Sequence, residues 1–372
     1  MDDGENLNKK ARAKARPIGQ ALLAWYDADR RDLPWRAAPG AHADPYAVWL
    51  SEIMLQQTTV KAAIPYFQNF LLCWPNVDAL ALAGRDEVMS AWAGLGYYSR
   101  ARNMHQAARI VARDMAGRFP DTLDGLQALP GVGPYTAAAI AAIAFGRQAA
   151  VVDGNVERVL ARLFEVTTPL PAAKGLLRQI AEQLAPRQRP GDFAQAMMDL
   201  GATVCTPKRP ACANCPIARL CAGQAVGLSG ELPYRAAKRE KPRRAGEAYF
   251  ALRHDGAVLL RRRPDKGLLG GMMEVPSSGW DGGRDADASG ASAPFAGPWR
   301  LLPGQVRHTF THFHLELAVY CLELNGGAGS MIGHGLEDWR WVARRDLAGE
   351  ALPSLMRKVV AHALDHLERK AA

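Results

Sequence analysis

Residues 129 to 153 combine a glycine turn, an apolar helix and a carboxylate, and no other stretch constrains the chain as much. The stretch reads LPGVGPYTAAAIAAIAFGRQAAVVD. The glycines of LPGVG let successive N–H groups point outward at a helix start, an arrangement that binds an anion such as a phosphate. The segment from Pro134 to Phe145 is too apolar and too rich in small residues for a surface helix, so we predict that it is buried. Taken singly, LPGVG can be a plain helix–helix turn and Asp153 a cap for a helix that begins near Val156.

Composition limits the kinds of protein that this chain can be. Its 372 residues are enough for two domains, and 48% hydrophobic with 22% charged residues is ordinary for a globular protein. The net charge of +9 suits a polyanionic partner, although charge alone is a weak indication. No apolar run approaches the roughly 18–20 residues of a membrane span, and the N-terminal MDDGENLNKKARAKAR lacks the apolar core of a secretion signal. We therefore expect a cytoplasmic protein without membrane contact.

Four cysteines lie within 17 residues, at positions Cys205, Cys212, Cys215 and Cys221. Such a cluster in a reducing compartment indicates a metal centre and argues against disulfides. Structural zinc usually pairs two short C-x2-C hairpins, whereas only Cys212 and Cys215 are that close, which weakens a zinc assignment without excluding it. The other candidate is an iron–sulfur cluster held by four thiolates.

These motifs resemble those of the helix-hairpin-helix DNA glycosylases, and more narrowly those of the adenine DNA glycosylases. The pattern L-P-G-[VI]-G-x-x-T-A is followed about twenty residues later by V-D-x-N-V-x-R-V, and the similarity covers about residues 17 to 370. The resemblance implies a base excision repair enzyme that flips adenine mispaired with 8-oxoguanine or guanine out of the duplex and hydrolyses its glycosidic bond. We therefore expect a monomer that acts on double-stranded DNA containing such mispairs and leaves an abasic site.

Glu52 lies in a segment, PYAVWLSEIMLQQTTVKAAI, whose apolar residues recur at the spacing of one helix. An isolated glutamate in such a pattern sits at the polar edge of the helix or is half-buried with a raised pKa, which suits it to donate a proton. S-E-I-M-L-Q-Q-T is similar to the family's catalytic helix, and this resemblance implies that Glu52 protonates the departing adenine. Asp153 would then stabilise the positive charge that develops on the sugar.

The resemblance assigns further residues to the sugar, the base, the duplex and the cofactor. Tyr135 and Asn155 would surround the sugar as polar groups. The adenine pocket would be lined by Arg31, Trp35, Arg36, Leu55 and Gln195. Contacts with the duplex would come from Gln57, Tyr97, Gly131, Val132 and Gly133, with Tyr97 wedged between bases. The spacing C-x6-C-x2-C-x5-C matches the glycosylase loop that holds a [4Fe–4S] cluster, and this match favours iron–sulfur over zinc.

A second domain follows a change of composition after the cysteines. Residues 222 to 245 are rich in Gly and Pro and include the basic run KREKPRR, which is typical of a linker. Residues 246 to 372 predict an α+β domain with a hairpin around Asp255 and Gly256, a second strand pair in QVRHTFTHFHLELAVYCLEL and a closing helix. GLLGGMMEVP resembles the Nudix fold, but the acidic REXXEE signature that binds Mg²⁺ is absent, so we expect recognition from this domain and no catalysis.

The segment HTFTHFHLE resembles the loop with which the family senses 8-oxoguanine. The recognition residues would be Phe310, Thr311 and His312. Thr311 replaces the family's usual serine, keeping a hydroxyl and adding a methyl group. Without the resemblance, the alternating His308, His312 and His314 can also be interpreted as a metal site.

We predict a multidomain protein with a basic disordered arm at 1–16 and an all-α catalytic domain at 17–221, followed by the linker and the Nudix-like domain. The main alternative is an endonuclease III-like glycosylase and lyase acting on oxidised pyrimidines. Such enzymes carry a nucleophilic lysine two residues after the second hairpin glycine, where this chain has Tyr135. A non-catalytic lesion-binding or iron–sulfur structural protein would need neither Glu52 nor Asp153.

Overall fold

The computed structural model describes residues 3–237, 240–265, 267–280, 293–324 and 338–371. The chain divides into two compact units. The first comprises Met1–Ala83 and Asn103–Lys238, and the second comprises Gly84–Arg102 and Arg239–Ala372. Within the described residues, no helix is both long and apolar enough to cross a membrane.

The described elements agree with the predicted order of a helical region followed by an α+β region. The helices are α1 (Asp3–Asp29), α2 (Pro45–Leu55), α3 (Val60–Cys73), α4 (Val77–Leu82), α5 (Arg85–Ala91), α6 (Ser99–Asp114), α7 (Leu123–Gln127), α8 (Pro134–Phe145), α9 (Gly154–Leu163), α10 (Lys174–Leu184), α11 (Pro190–Asp199), α12 (Ala222–Ala225) and α13 (Ser354–Ala371). The strands are β1 (Arg243–Arg253), β2 (Ala257–Arg262), β3 (Met273–Glu274), β4 (Arg300–Leu301), β5 (Val306–Thr309), β6 (His314–Leu324) and β7 (Trp339–Ala343).

Helix α8 lies at the centre of the first unit, as its apolar sequence predicts. It starts with Pro134 in its first turn and ends at Gly146, which adopts a left-handed conformation with φ of 61°. Its alanines are almost all buried, and α2, α7 and α11 pack against it. Small side chains allow this close packing, so α8 can hold the groups at its N-terminus in a fixed position.

Helix α1 begins at Asp3, so the N-terminal arm that we expected to be disordered is helical. Ala11 and Ile18 are completely buried, and Leu7 packs against the same core. The expectation of disorder considered only the basic charges of this stretch. It overlooked apolar residues that recur at helical spacing and cover the core.

The segment that we predicted as one helix from Pro45 to Ile64 forms two helices. Helix α2 ends at Leu55, and Gln57 adopts a positive φ of 57°. The Thr59 hydroxyl then caps α3 by accepting a hydrogen bond from the Ala62 amide at 3.3 Å. Gln57 therefore lies in an exposed turn after the helix that carries Glu52.

The strands of the second unit form one mixed sheet in the part of the chain that is described. The order is β3-β2-β1-β6-β4, with β5 paired to β6 and β7 paired to β2. β1 and β6 are parallel and the other pairs are antiparallel. Helix α13 covers the sheet with buried Leu355, Met356 and Val359. The predicted Nudix-like domain is thus confirmed, while the Gly-rich stretch at 281–292 lies outside the described residues.

Candidate active site

Glu52 occupies the last turn of α2 and is only 6% exposed. Burial, together with the charge of Asp153, raises the pKa of Glu52 to about 7. A hydrogen bond from the Tyr135 hydroxyl and the charge of Arg36 oppose this rise. A carboxyl group with such a pKa carries a proton near neutral pH and can act as a general acid.

Asp153 is the N-cap of α9. Its Oδ1 accepts a hydrogen bond from the Val156 amide at 2.7 Å, and its Oδ2 accepts one from Asn155 Nδ2 at 2.9 Å. Capping and catalysis, which the sequence left as alternatives for this residue, are therefore compatible. The cap fixes the direction of the carboxylate.

Tyr135 lies in the first turn of α8 and interacts electrostatically with the carboxyl groups of Glu52 and Asp153. Burial, together with the negative charges of Glu52 and Asp153, raises its pKa well above the usual range. Its hydroxyl also lies 3.6 Å from Met198 Sδ. The phenol therefore stays protonated and can only donate its hydrogen or accept through its oxygen, so it offers no amine or anion as a nucleophile.

A chain of hydrogen bonds connects the cap of α9 to the first of the four clustered cysteines. Arg158 Nη2 donates to Asn155 Oδ1 at 2.9 Å, and Arg158 Nε donates to the Cys205 carbonyl at 2.8 Å. The segments that carry Gly201 and Asn155 approach closely, since a Cβ atom at Gly201 would lie 2.6 Å from Asn155 Cβ. The position of Asn155, and through it that of Asp153, thus depends on the start of the cysteine loop.

The four clustered cysteines, Cys205, Cys212, Cys215 and Cys221, are free, partly buried thiols. Burial, together with the three other cysteines, raises the pKa of the Cys215 thiol to about 11. Arg162 Nη1 donates to Cys205 Sγ at 3.2 Å. Four sulfur donors with a guanidinium beside one of them suit a soft, thiolate-bound metal or cluster.

Within the described residues, no group of three or more His, Cys, Asp or Glu side chains has the geometry of a metal site as it stands. This holds for the cysteines, which are near one another, and for the histidines at 308, 312 and 314. His314 Nδ1 instead lies 2.9 Å from Thr309 Oγ1. The histidine metal site therefore has no structural support.

A cleft opens beside Glu52. It brings together the five residues assigned to the adenine pocket, which are Arg31, Trp35, Arg36, Leu55 and Gln195. The remaining lining residues, which sequence reasoning missed, are Leu33, Val48, Ser51, Val60, Ile143 and Met198. Apolar walls with a few polar groups suit a flat aromatic base.

The completely buried Asp199 holds both arginines of the cleft. Arg31 Nε donates to Oδ1 at 2.6 Å, and Arg36 donates to both carboxylate oxygens at 2.5 and 2.7 Å. Burial alone would raise the pKa of Asp199, but hydrogen bonds and charges from the arginines outweigh burial and lower it. Sequence reasoning missed Asp199, although it lies four residues after Gln195 and hence on the same face of α11.

The conformation of the glycine turn before α8 differs in part from the predicted anion-binding arrangement of N–H groups. Gly131 has a φ of 80°, and a Cβ there would lie 2.9 Å from Asn103 Cβ, so this position requires glycine. Gly133 is the N-cap of α8 with an ordinary φ of −87°. Val132 between them is buried. Only the first glycine therefore uses the conformational freedom on which the prediction relied.

Tyr97 and the hairpin between β5 and β6 both belong to the second unit. Tyr97 is 49% exposed, with a φ of 49°, and its hydroxyl lies 3.3 Å from Thr311 Oγ1. The guanidinium of Arg100 lies over its ring at 5.7 Å. The structure therefore brings together a residue assigned to the duplex and a residue assigned to the lesion.

Thr311 and His312 form the exposed tip of this hairpin, which we call the tip. The tip is closed by a hydrogen bond from the Phe310 amide to the Phe313 carbonyl at 2.9 Å. The Phe310 ring is partly buried, stacked at 5.9 Å on Trp280 and tilted at 4.9 Å against Phe313. Of the three residues assigned to recognition, the structure places two on the tip and one beneath it.

Two family profiles match the chain. One, described as HhH-GPD superfamily base excision DNA repair protein, matches residues 50–186. The other, described as NUDIX domain, matches residues 248–362. The first match lies within the helical region and includes Glu52, Tyr135 and Asp153, and the second lies within the region with the mixed sheet.

Relatives match over most of the chain. An adenine DNA glycosylase of Homo sapiens is 39% identical over 91% of this chain and 72% of its own length. An adenine DNA glycosylase of Mus musculus is 38% identical over 93% of this chain and 77% of its own length. Among solved structures, a thermostable thymine-DNA glycosylase is similar with a TM-score of 0.51 and 31% identity, covering 59% of this chain and 98% of that chain.

Proposed function

The chain belongs to the adenine DNA glycosylase family, and from this premise we propose that it removes adenine mispaired with 8-oxoguanine or guanine. The reaction is hydrolysis of the glycosidic bond, which leaves an abasic site in an intact strand. The observation that carries this proposal is the buried Glu52, with its pKa of about 7, at the wall of the cleft.

Adenine inside a duplex is out of reach, so the base must first leave the stack. Extrusion is least costly where the pair is already mismatched. The flipped base enters the cleft, where Asp199 keeps Arg31 and Arg36 in place. Glu52, protonated near neutral pH, then donates its proton to a ring nitrogen of adenine and makes it a better leaving group.

As the bond to adenine breaks, the sugar gains oxocarbenium character. The Asp153 carboxylate, oriented by its cap and by Asn155, stabilises this charge without having to reorganise. The protonated Tyr135 hydroxyl donates to Glu52 and interacts electrostatically with Asp153. Water completes the hydrolysis, because the site contributes no amine that would form a Schiff base.

Endonuclease III-like members of the superfamily generally carry a [4Fe–4S] cluster. We propose that Cys205, Cys212, Cys215 and Cys221 would hold one here. When bound, the cluster would supply four iron–thiolate bonds that order the loop. Arg162 donates to the Cys205 sulfur, and Arg158, which donates to the Cys205 carbonyl and to Asn155, would then pass that order to Asn155.

We assign the chemistry to residues 17–221 and lesion recognition to residues 246–372 together with Tyr97 of segment 84–102. The linker predicted at 222–245 is shorter, since it contains α12 and β1 begins at Arg243. The tip would contact 8-oxoguanine, with the Thr311 hydroxyl as a hydrogen-bonding group and Tyr97 and Gln57 at the duplex. The family relationship supports a monomer that works in the compartment holding the DNA.

The test is a panel of duplexes carrying adenine opposite 8-oxoguanine, guanine or thymine, and thymine glycol opposite adenine. We expect alkali-labile sites from the first two duplexes, no strand cleavage without alkali, and little covalent trapping by borohydride. Cleavage at thymine glycol with efficient trapping would contradict the proposal and support the endonuclease III-like alternative.

A further inference from the structure

Segment 84–102, which carries Tyr97, is joined to the loop between β2 and β3 by ionic contacts within the second unit. Arg85 Nη2 donates to Asp265 Oδ1 at 2.5 Å, and Arg102 Nη2 donates to the Asp265 carbonyl at 3.0 Å. The two arginines lie on either side of Tyr97 in sequence. Asp265 therefore holds both ends of the segment.

A second ion pair reinforces the first. Arg262 Nη2, at the end of β2, lies 3.2 and 3.3 Å from the two carboxylate oxygens of Asp86. Segment 84–102 and the β2–β3 side of the contact thus each contribute both an aspartate and at least one arginine. We call the five residues the clasp: Arg85, Asp86, Arg102, Arg262 and Asp265.

The glycines of GLLGGMM make room for the clasp. Gly271 has a φ of 70°, and a Cβ there would lie 2.9 Å from both Arg102 Nη1 and Asp265 Oδ1. A Cβ at Gly270 would lie 2.5 Å from the Asp265 carbonyl oxygen. The GLLGGMM motif, which resembles the Nudix fold, therefore leaves the space in which Asp265 and Arg102 form their contact.

The loop that presents Asp265 is itself firmly held. Glu274, completely buried, accepts from Arg261 Nε at 2.6 Å and from Arg263 Nη1 at 2.5 Å. The Gly271 amide donates to the Arg263 carbonyl at 3.2 Å, and Arg263 Nε donates to the Leu268 carbonyl at 3.1 Å. A rigid loop can fix the position of whatever it binds.

We propose that the clasp is a specificity-determining positioning device, which fixes segment 84–102 so that the Tyr97 hydroxyl stays beside Thr311. Tyr97 and the tip would then meet the 8-oxoguanine side of a mispair as one preformed surface. This inference rests on the proposed function of the tip. It assigns to Asp265, Asp86 and Gly271 a role that involves no contact with adenine or with the catalytic carboxylates.

The clasp is open to solvent, since the side chains of Arg85 and Asp265 are 43% and 63% exposed. A single exposed ion pair contributes little, so the effect must come from several groups acting together. Salt screens such pairs, and the preference between two lesions should therefore fall as ionic strength rises. Comparing two duplexes in the same salt cancels the general weakening of DNA binding.

The experiment measures single-turnover adenine excision, in the full-length protein, from duplexes with adenine opposite 8-oxoguanine or guanine. We define the preference as the ratio of the two rates. Asp265→Asn and Gly271→Ala should each lower the preference about threefold to tenfold, the range expected for coupled neighbours. Excision opposite guanine should stay at the wild-type rate.

Charge exchange tests whether the ion pair itself, and no other property of either side chain, sets the preference. Asp86→Arg alone should lower the preference, because it sets a cation against Arg262. Adding Arg262→Asp should restore it. Glu368→Gln, which removes the exposed ion pair with Arg344 in the same unit, is the matched control and should leave the preference unchanged.

The outcomes separate this inference from the proposed function. If wild type shows no preference, or Thr311→Ala leaves it intact, the proposed role of the tip is wrong. If Thr311→Ala lowers the preference while Asp265→Asn and Asp86→Arg do not, the proposed role of the tip is kept and the proposed role of the clasp is wrong. If Gly271→Ala does not fold, the exchange of Asp86 and Arg262 still decides the question.

Discussion

Glu52 and Asp153 have different environments, and these environments suit the two carboxyl groups to different roles. Glu52 is buried at a helix end, and burial raises its pKa to about 7. Asp153 accepts two hydrogen bonds at the start of α9. One group is therefore suited to deliver a proton and the other to oppose a positive charge, a division of labour common to glycoside-cleaving sites.

The raised pKa of Glu52 predicts a pH dependence. The acid form donates the proton, and this form is lost as pH rises through about 7. The single-turnover rate of adenine excision should therefore decline above that pH, about tenfold per pH unit well above it. A rate that stays flat between pH 6 and about pH 9 in a stable protein would contradict the assignment of Glu52 as general acid.

Asp153→Asn separates capping from catalysis. Asparagine caps helices about as well as aspartate, so the free energy of unfolding should change by less than about 1 kcal/mol. The charge that opposes the oxocarbenium ion is lost, so excision should slow by about a hundredfold or more. A destabilised variant with near-normal excision would mean that Asp153 serves only as a cap.

Asp199→Asn tests the support beneath the cleft. Removing one partner of a buried ion pair typically costs about 3–5 kcal/mol, because the remaining charges stay buried. We expect a lower urea midpoint and weaker excision, whereas Asp27→Asn, which removes an exposed pair with Arg189, should change neither. An unchanged midpoint for Asp199→Asn would show that Arg31 and Arg36 do not depend on it.

At the scale of elements, the local sequence predicted those helix ends that depend on residues close in sequence. Proline at the start and glycine at the end give the bounds of α8. The break after Leu55 could not be predicted in this way, since apolar residues continue at helical spacing through the turn. The helical N-terminus was missed because its basic charges obscure the apolar residues that recur at helical spacing and pack on the core.

The candidate site shows the same limit. Spacing and resemblance identified the carboxylates, the cysteines and five residues of the cleft. Asp199 was missed because a buried aspartate looks like any other aspartate until the arginines that pair with it are seen. The contact between Tyr97 and Thr311 joins residues 214 positions apart, which no local pattern encodes.

The cysteine loop is the element whose cofactor can be measured directly. We expect about four iron atoms and four sulfides per chain, the content of one [4Fe–4S] cluster. Cys212→Ser should lower this content and weaken duplex binding, whereas serine at Cys73, an exposed cysteine outside the loop, should do neither. Zinc without acid-labile sulfide would instead support the alternative site.

At the scale of the whole molecule, our proposal assigns chemistry and recognition to different units. The cleft, both carboxylates and the cysteine loop belong to the first unit, while Tyr97, the tip and the clasp belong to the second. Changes in the second unit should therefore alter which mispair is preferred, and changes in the cleft should alter the rate on every substrate.

The central claim, that buried Glu52 protonates adenine to release it, is tested most directly by Glu52→Gln. The measurement is single-turnover excision from a duplex with adenine opposite 8-oxoguanine, alongside the affinity for the same duplex. Glutamine fills the same space but cannot donate a proton in this way, so excision should fall by at least about a hundredfold while affinity is kept. Excision near the wild-type rate by a folded, duplex-binding Glu52→Gln variant would contradict the mechanism.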